Sequence, residues 1–285
     1  MDEARTRLSG LMGVQPDQLN FGPSTTQNTY VLSKAFSKVL AKGDAIVVTN
    51  QDHEANSGPW RRLQEDGIEV REWSVDPETG HLNIADLKNL MDKKVKLVCF
   101  PHCSNIVGEI NPVKEIVDIA HQADAFACVD GVSYAPHGFP NIGELSPDVY
   151  LFSTYKTYGP HQGIMVLSDN LNEYLPNQGH YFNSDYPTKR FTPAGPDHAQ
   201  IAACAGMADY FDIIHDHHFG VQSDASKRGQ AVHDLFRAHE VSILQPLLDN
   251  LSSRNSVRLL GPKNAETRAP TVAVEINSNA FEVAE

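Results

Sequence analysis

Asp130 and Lys156 are the residues from which a chemical reading of this chain starts. Asp130 closes an apolar run, residues 125–129, inside Val129-Asp130-Gly131-Val132-Ser133-Tyr134-Ala135-Pro136-His137. Lys156 stands in Ser153-Thr154-Tyr155-Lys156-Thr157-Tyr158-Gly159-Pro160, just beyond a second apolar run at 149–152. A strand-end carboxylate and a loop lysine are by themselves enough for a salt bridge, and for an arbitrary pair that is the ordinary outcome. A third feature changes the weighing. Gly22-Pro23-Ser24-Thr25-Thr26 opens a helix, where backbone N–H groups, hydroxyls and the helix dipole make an anion site. An anion cradle, an acid for a ring nitrogen and a lysine for an aldehyde are together what pyridoxal 5'-phosphate (PLP) requires.

The elements that must position these residues alternate along the chain. Apolar runs at 45–48, 68–75, 95–100, 125–129 and 149–152 read as strands, with helical patterns at 31–40, 60–65, 87–91 and 112–123 between them. Residues 163–167 read as a hairpin-like neighbour of the run before them. Such alternation predicts an α/β fold around a mainly parallel sheet, whose ligands bind beyond the carboxyl ends of the strands. Asp130 and Ser153 both close strand-like runs. Beyond Gly195 the pattern turns helical (199–214, then 222–239), and strand-like runs return at 257–260 and 271–276. Residues 176–196, rich in Gly, Pro, Asn and aromatics, read as a long functional loop.

With 23 Lys+Arg against 36 Asp+Glu, the net charge of -13 repels phosphate backbones and argues against a nucleic-acid partner. No window approaches the roughly 20 apolar residues of a membrane span, and the charged start MDEARTRLSG does not read as a signal peptide. Four cysteines are too few for a disulfide scaffold in a chain this size, so a reducing, cytoplasmic location is expected.

Four motifs in order resemble the class V aminotransferase / cysteine desulfurase-like group of fold-type I PLP enzymes. Gln51-Asp52-His53-Glu54-Ala55-Asn56 followed by Pro59-Trp60 is similar to the family's Glu-His-x-Ala-Asn…Pro-Trp; the resemblance implies that His53 stacks on the cofactor ring. Cys103-Ser104-Asn105-Ile106-Val107-Gly108, with Asn111-Pro112, is similar to Ser-Asn-x-x-Gly…Asn-Pro and implies that Asn105 contacts the phenolic oxygen. Asp130 would then hold the pyridinium nitrogen, and Ser133 stands where the desulfurases usually carry a glutamine. Ser153-Thr154-Tyr155-Lys156, with Tyr158-Gly159-Pro160, is similar to Ser-x-His-Lys…Tyr-Gly-Pro. It implies phosphate contacts from Ser153 and Tyr155, joined by Thr25 and Thr26, and a Schiff base on Lys156. Lys156 and His53 are the expected catalytic pair.

Departures from the family accompany the matches. Tyr155 replaces the histidine beside the lysine. Ala194-Gly195-Pro196-Asp197 replaces a Gly-Thr-Pro-Asn turn whose threonine reaches the partner subunit's phosphate, although Thr192 lies nearby. Relative to the family, the chain is expected to begin just before the phosphate-binding turn and to stop after Arg268-Ala269-Pro270-Thr271-Val272. The small domain's carboxylate-binding arginine and sulfur-accepting cysteine are then not placed, and Arg190 is a conceivable substitute for the first. The resemblance implies a PLP-binding large domain at 1–240, the beginning of a small α+β domain at 241–285, a homodimer, and a small amino acid as substrate. The reaction expected is desulfurase-like or related lyase or aminotransferase chemistry. The competing expectation is a truncated or degenerate fold that binds cofactor or a partner subunit without completing a cycle. Ser153-x-x-Lys156 also fits an acyl-serine motif, but its Ser-Asp-Asn and Lys-Thr-Gly partners are missing from the sequence. His215-Asp216-His217-His218 and Cys99-x-x-x-Cys103 have poor metal-ligand spacing; the histidines are expected to be solvated or capping at a helix end.

Overall fold

Side chains that alternate between two faces of a sheet organise this chain. A computed structural model describes residues 1–220 and 224–276. Its strands are β1 (Leu19–Gly22), β2 (Ala45–Thr49), β3 (Glu69–Trp73), β4 (Val95–Pro101), β5 (Phe126–Asp130), β6 (Val149–Ser153) and β7 (Gly163–Leu167), and they form one seven-stranded sheet. The order across it is β1-β7-β6-β5-β4-β2-β3. Strands β2 to β6 are mutually parallel, whereas β7 runs antiparallel between β6 and β1. The expected hairpin-like pairing of 163–167 is therefore present, with Ser153 opposite Gly163 and Val149 opposite Leu167.

The period of two separates the cores. Val47, Val98, Phe100, Ala127, Val129, Tyr150 and Phe152 pack on one face; Ile46, Val48, Leu97, Cys99, Cys128, Val149 and Leu151 pack on the other. Both faces are covered, which is why the central strands are near-continuous apolar runs, broken by Lys96 in β4 and by the terminal Asp130 and Ser153 of β5 and β6. The first face is covered by α1 (Asp2–Leu11), by α5 (Val113–Gln122) and by later helices; the second by α2 (Thr25–Phe36), α3 (Gly58–Arg61) and α7 (Asp169–Tyr174). The short α4 (Ile84–Leu90) and α6 (Ile142–Leu145) bury Leu87 and Ile142 in the first core. Helix α5 buries Val113, Ile116, Val117 and Ala120, a single stripe at helical spacing, after Pro112 at its N-cap. Removing a fully buried ring such as Phe152 from these cores costs about 3–5 kcal/mol.

Helix α1 has no counterpart among the sequence expectations. Its apolar stripe is only Ala4, Leu8 and Leu11, too sparse to register against Asp, Glu and Arg neighbours. The helices after Gly195 are α8 (His198–Ala203), α9 (Ala205–Phe219) and α10 (Ala225–Ser252). Helix α10 runs unbroken for 28 residues, so the expected boundary after residue 240 falls inside it. Its far half packs Leu244 and Leu248 against Leu259 and Ala265, beside the antiparallel pair β8 (Val257–Leu260) and β9 (Ala273–Ile276). Residues 277–285 of the expected small-domain segment lie outside the described residues. Among the described residues no helix is long and apolar enough to cross a membrane.

Candidate active site

The topology brings five strand ends to one edge. Because β7 reverses between β6 and β1, the end of β1 lies level with the ends of β6, β5, β4 and β2; Gly163 pairs with both Gly22 and Ser153, and Pro101 with Asp130. A cleft opens on this edge, enclosing about 80 Å³. Thr25, Thr26, His53, Asn105, Asp130, Ser133, Ser153, Tyr155 and Lys156 all line it. All nine residues singled out in the sequence thus converge on one cavity.

At one end stands the start of α2. Ser24 caps the helix by accepting from the Gln27 N–H at 3.2 Å, which leaves the first-turn residues Thr25 and Thr26 facing the cleft. Thr25 Oγ1 and the buried Ser153 Oγ share a hydrogen bond of 2.8 Å, tying helix start to strand end. Gly163 makes this approach possible. A Cβ there would sit 2.5 Å from the Ser24 carbonyl carbon and 2.7 Å from the Thr25 nitrogen. Hydroxyls and helix N–H groups gathered at one point form an anion site.

Across the cleft, Asp130 ends β5 with one carboxylate oxygen, Oδ1, accepting the Val132 N–H at 2.8 Å. Burial raises its carboxyl to about 6, against the opposing pull of the Val132 N–H, His53 and Lys156. The turn beyond it is braced from below. Gly131 is required there because a Cβ would lie 2.2 Å from the Tyr150 ring, and the Tyr150 hydroxyl pairs with His102 Nδ1 at 2.7 Å. His102 stacks on Tyr134 at 3.6 Å, donates its backbone N–H to the Asp130 carbonyl, and is held neutral by burial, which lowers it to about 3. Lys156 closes a 3-10 turn, Thr154–Lys156, immediately after β6, with its Nζ 5.9 Å from the Tyr155 ring centre. Two residues on, Tyr158 takes the left-handed conformation (φ 63), unusual for a bulky side chain, and its hydroxyl donates to the Pro136 carbonyl at 2.7 Å. The lysine loop is therefore pinned to the turn that follows Asp130.

His53 and Asn105 lie at the exposed mouth. His53 Nδ1 accepts the Ala55 N–H at 3.1 Å, which leaves Nε2 as the ring's donor. The Asn-x-x-x-Trp spacing after it is structural: Asn56 Oδ1 accepts from the indole of the fully buried Trp60 at 3.0 Å. Asn105 rides a turn in which Ser104 Oγ accepts from the Ile106 and Val107 N–H groups. A single carboxylate clamps that loop: Glu109 accepts from Gln51 Nε2 at 2.6 Å and from the Leu82 N–H at 3.2 Å, and pairs with His81 Nδ1 at 2.5 Å. Asn111 Nδ2 returns to Gln51 Oε1 at 2.9 Å.

Sequence reasoning gave no role in the site to Asp52, Ala55, Pro101, Cys103 and Val132, which also line the cleft. Asp52 precedes His53, and its charge beside a motif histidine was the available signal. Its Oδ2 accepts from Asn56 Nδ2 at 2.8 Å, while burial, and then the nearby Asp130, push its carboxyl well above the usual range. Cys103 is a buried thiol raised to about 12 by burial. Arg190 does not line the cleft; its guanidinium donates to the Asn172 backbone carbonyl, to Asn172 Oδ1 and to the Leu175 carbonyl. It is consumed in holding the 176–196 loop. Of the histidine cluster, His217 and His218 are exposed in the last turn of α9, but His215 is buried, contrary to expectation. Among the described residues no group of three His, Cys, Asp or Glu side chains could hold a metal ion.

The donor set suits PLP: an anion cradle, a carboxylate at strand end, and a primary amine between them. Comparison with known proteins identifies the family. Residues 1–187 match the family described as aminotransferase class-V. An aminotransferase-like protein, FGM3, of Gibberella zeae is 32% identical over 91% of this chain and 62% of its own length. A cysteine desulfurase of Yersinia pseudotuberculosis is 28% identical over 99% of this chain and 69% of its own. The chain thus spans under two thirds of the first of these relatives. In three dimensions it superposes on the Escherichia coli cysteine desulfurase CsdA with a TM-score of 0.78 at 20% identity, covering 99% of this chain and 69% of that one. The cysteine desulfurase of Thermococcus onnurineus gives 0.79 at 23% identity, covering 99% and 70%. The fold is that of the fold-type I enzymes, and the chain belongs to the aminotransferase class-V family.

Proposed function

We propose that this chain is a PLP-dependent enzyme acting on a small amino acid through a covalent link between Lys156 and the cofactor. Desulfurase-like, lyase or aminotransferase chemistry would follow. The observation that carries the reading is the convergence of an anion cradle, Asp130 and Lys156 on one cleft at the carboxyl ends of the strands. When bound, PLP supplies an electron sink for charge developing at the substrate α-carbon. Thr25, Thr26, Ser153 and Tyr155 would hold the phosphate, and Asn105 and Ser133 the phenolic oxygen. Asp130 would keep a proton on the ring nitrogen. Lys156 Nζ, once displaced by the substrate amine, is the base that takes the α-proton. His53, at the mouth, would cover one ring face, with Nε2–H free to pass a proton.

A homodimer is part of this reading. A second, open groove of about 770 Å³ adjoins the α2 start and is lined by Phe21, Tyr30, Phe191 and Pro193, and Tyr181 and Phe182 stand exposed on the neighbouring loop. We further assign residues 1–240 to the cofactor-binding domain and 241–285 to the beginning of a small one, which the separate core around Leu244 and Leu248 supports. The four buried, free cysteines favour a reducing cytoplasm.

The test is purification with added PLP, a visible spectrum before and after borohydride, and mapping of the modified peptide. Reduced cofactor on Lys156 is expected. A colourless protein, or label on another lysine, overturns the assignment.

A further inference from the structure

Two carboxyl groups share the cleft, and the reading above employs only one. Asp130 ends β5, and Asp52 follows the end of β2, two strands away across β4. Asp52 Oδ2 is satisfied by Asn56, but Oδ1 is buried and has no hydrogen-bond partner among the described residues. Asp148, another buried aspartate, is a useful contrast. Its oxygens collect the Ala127 N–H at 2.8 Å, His121 Nε2 at 2.9 Å and Ser168 Oγ at 3.2 Å. A buried carboxylate without such donors is costly, and a second one beside it costs more. The charge balance of the cleft points the same way. The ionisable groups that share the cleft with Asp52 are Asp130 on β5, Cys103 after β4, Tyr155 and Lys156 after β6 and the adjacent His53, and Cys99 on β4 lies within its field. Lys156 is the sole lysine or arginine lining the cleft among the described residues.

We propose that Asp52 is a positioning residue that keeps its proton on the buried Oδ1. It would face the cleft as a neutral hydrogen-bond donor and leave Asp130 as the single anionic carboxyl, the one able to hold a protonated ring nitrogen. This deepens the PLP reading and rests on it. Burial first and then the Asp130 charge raise Asp52, against the smaller opposing pull of Asn56 and the His53 backbone N–H, in keeping with the geometry. Asparagine is then the informative replacement. It can accept from Asn56 through one atom and donate into the cleft through the other, with no charge.

The experiment compares the PLP-loaded wild type with Asp52→Asn and Asp52→Ala. Two quantities are read: the dissociation constant for PLP, by fluorescence quenching, and the midpoint of the pH titration of the bound cofactor's visible absorbance. Asp52→Asn should match the wild type in both, with the constant unchanged within about twofold. Asp52→Ala should weaken PLP roughly three- to tenfold through one lost hydrogen bond. An ionised Asp52 would instead stabilise the protonated cofactor–lysine pair. Its removal in Asp52→Asn would then lower the midpoint by about one pH unit or more, and that result overturns the proposal. So does an Asp52→Ala protein that binds PLP as the wild type does. If Asp52→Asn does not fold, Asp52→Ser, small and neutral with a hydroxyl donor, carries the same comparison. A wild type that takes up no PLP removes the functional reading itself, whereas normal uptake with a displaced midpoint in Asp52→Asn removes only this inference.

Discussion

The cofactor-free protein should be destabilised by its own Asp130, and replacing that residue should reveal by how much. Burial lifts the Asp130 carboxyl from its ordinary 3.8 to about 6. A raised folded-state value means that the folded protein holds the proton more tightly than the unfolded chain. The resulting stability is fully present below about pH 4 and is lost as pH rises through 6. From the two values the loss amounts to about 3 kcal/mol above pH 7. Asp130→Asn removes the titration, and its side-chain oxygen can still accept the Val132 N–H. Without PLP, the variant should therefore exceed the wild type by about 2–3 kcal/mol at pH 7.5, by roughly half as much near pH 5, and by little at pH 4. Urea melts of both proteins at these pH values measure the difference. A difference that is absent, or that stays constant across the range, refutes the burial argument. Saturating PLP should reverse the order at pH 7.5, because the cofactor's ring cation favours the ionised wild-type carboxylate.

Lys156→Ala should abolish borohydride-fixable cofactor, read as loss of the modified peptide by mass spectrometry, while leaving the melting temperature nearly unchanged. Gly163→Ala forces a methyl group against the Ser24–Thr25 peptide; PLP affinity should fall about tenfold or more, as one disrupted charge-assisted contact implies, with inorganic phosphate weakened in parallel. Glu109→Ala strips acceptors from Gln51, His81 and the Leu82 N–H. It should cost about 2–4 kcal/mol in urea melts and loosen the Asn105 loop to proteolysis; an unchanged melt would show that the clamp holds nothing.

Six of the seven strands were legible as strand-like runs, and Asp130 and Ser153 as polar residues closing two of them, whereas β1, only four residues long, was not. Asp130 and Ser153 could be placed on one edge before any coordinates, since parallel strands put their carboxyl ends together. Helix α1 was not legible, because three buried side chains among charged neighbours leave a stripe too thin to detect. The unbroken α10 was hidden for another reason: Pro246 sits inside it, and a proline ordinarily ends a helical pattern. Arg190, a conceivable carboxylate partner from sequence because a loop arginine looks available, instead satisfies carbonyls of α7 and of its own loop connection. Carbonyl partners leave no trace in residue types.

Asp52 shows a subtler limit. Its side chain differs from the family's glutamate by one methylene, and nothing in the sequence says whether it carries charge. That depends on which donors the fold brings to it, and the fold brings Asn56 to one oxygen only. Asn56 is itself engaged by the buried Trp60, so it cannot turn to serve the second oxygen without giving up the indole. A tryptophan in the hydrophobic core thereby constrains the ionisation of a carboxyl group in the cleft. Trp60→Phe, which keeps the ring packing but leaves Asn56 Oδ1 only the weak Cys128 thiol donor at 3.7 Å, should allow a second hydrogen bond to Asp52. The bound-cofactor titration would then move upward, toward that of a cleft holding two anions. A midpoint in Trp60→Phe identical to the wild type would show that core and cleft are uncoupled.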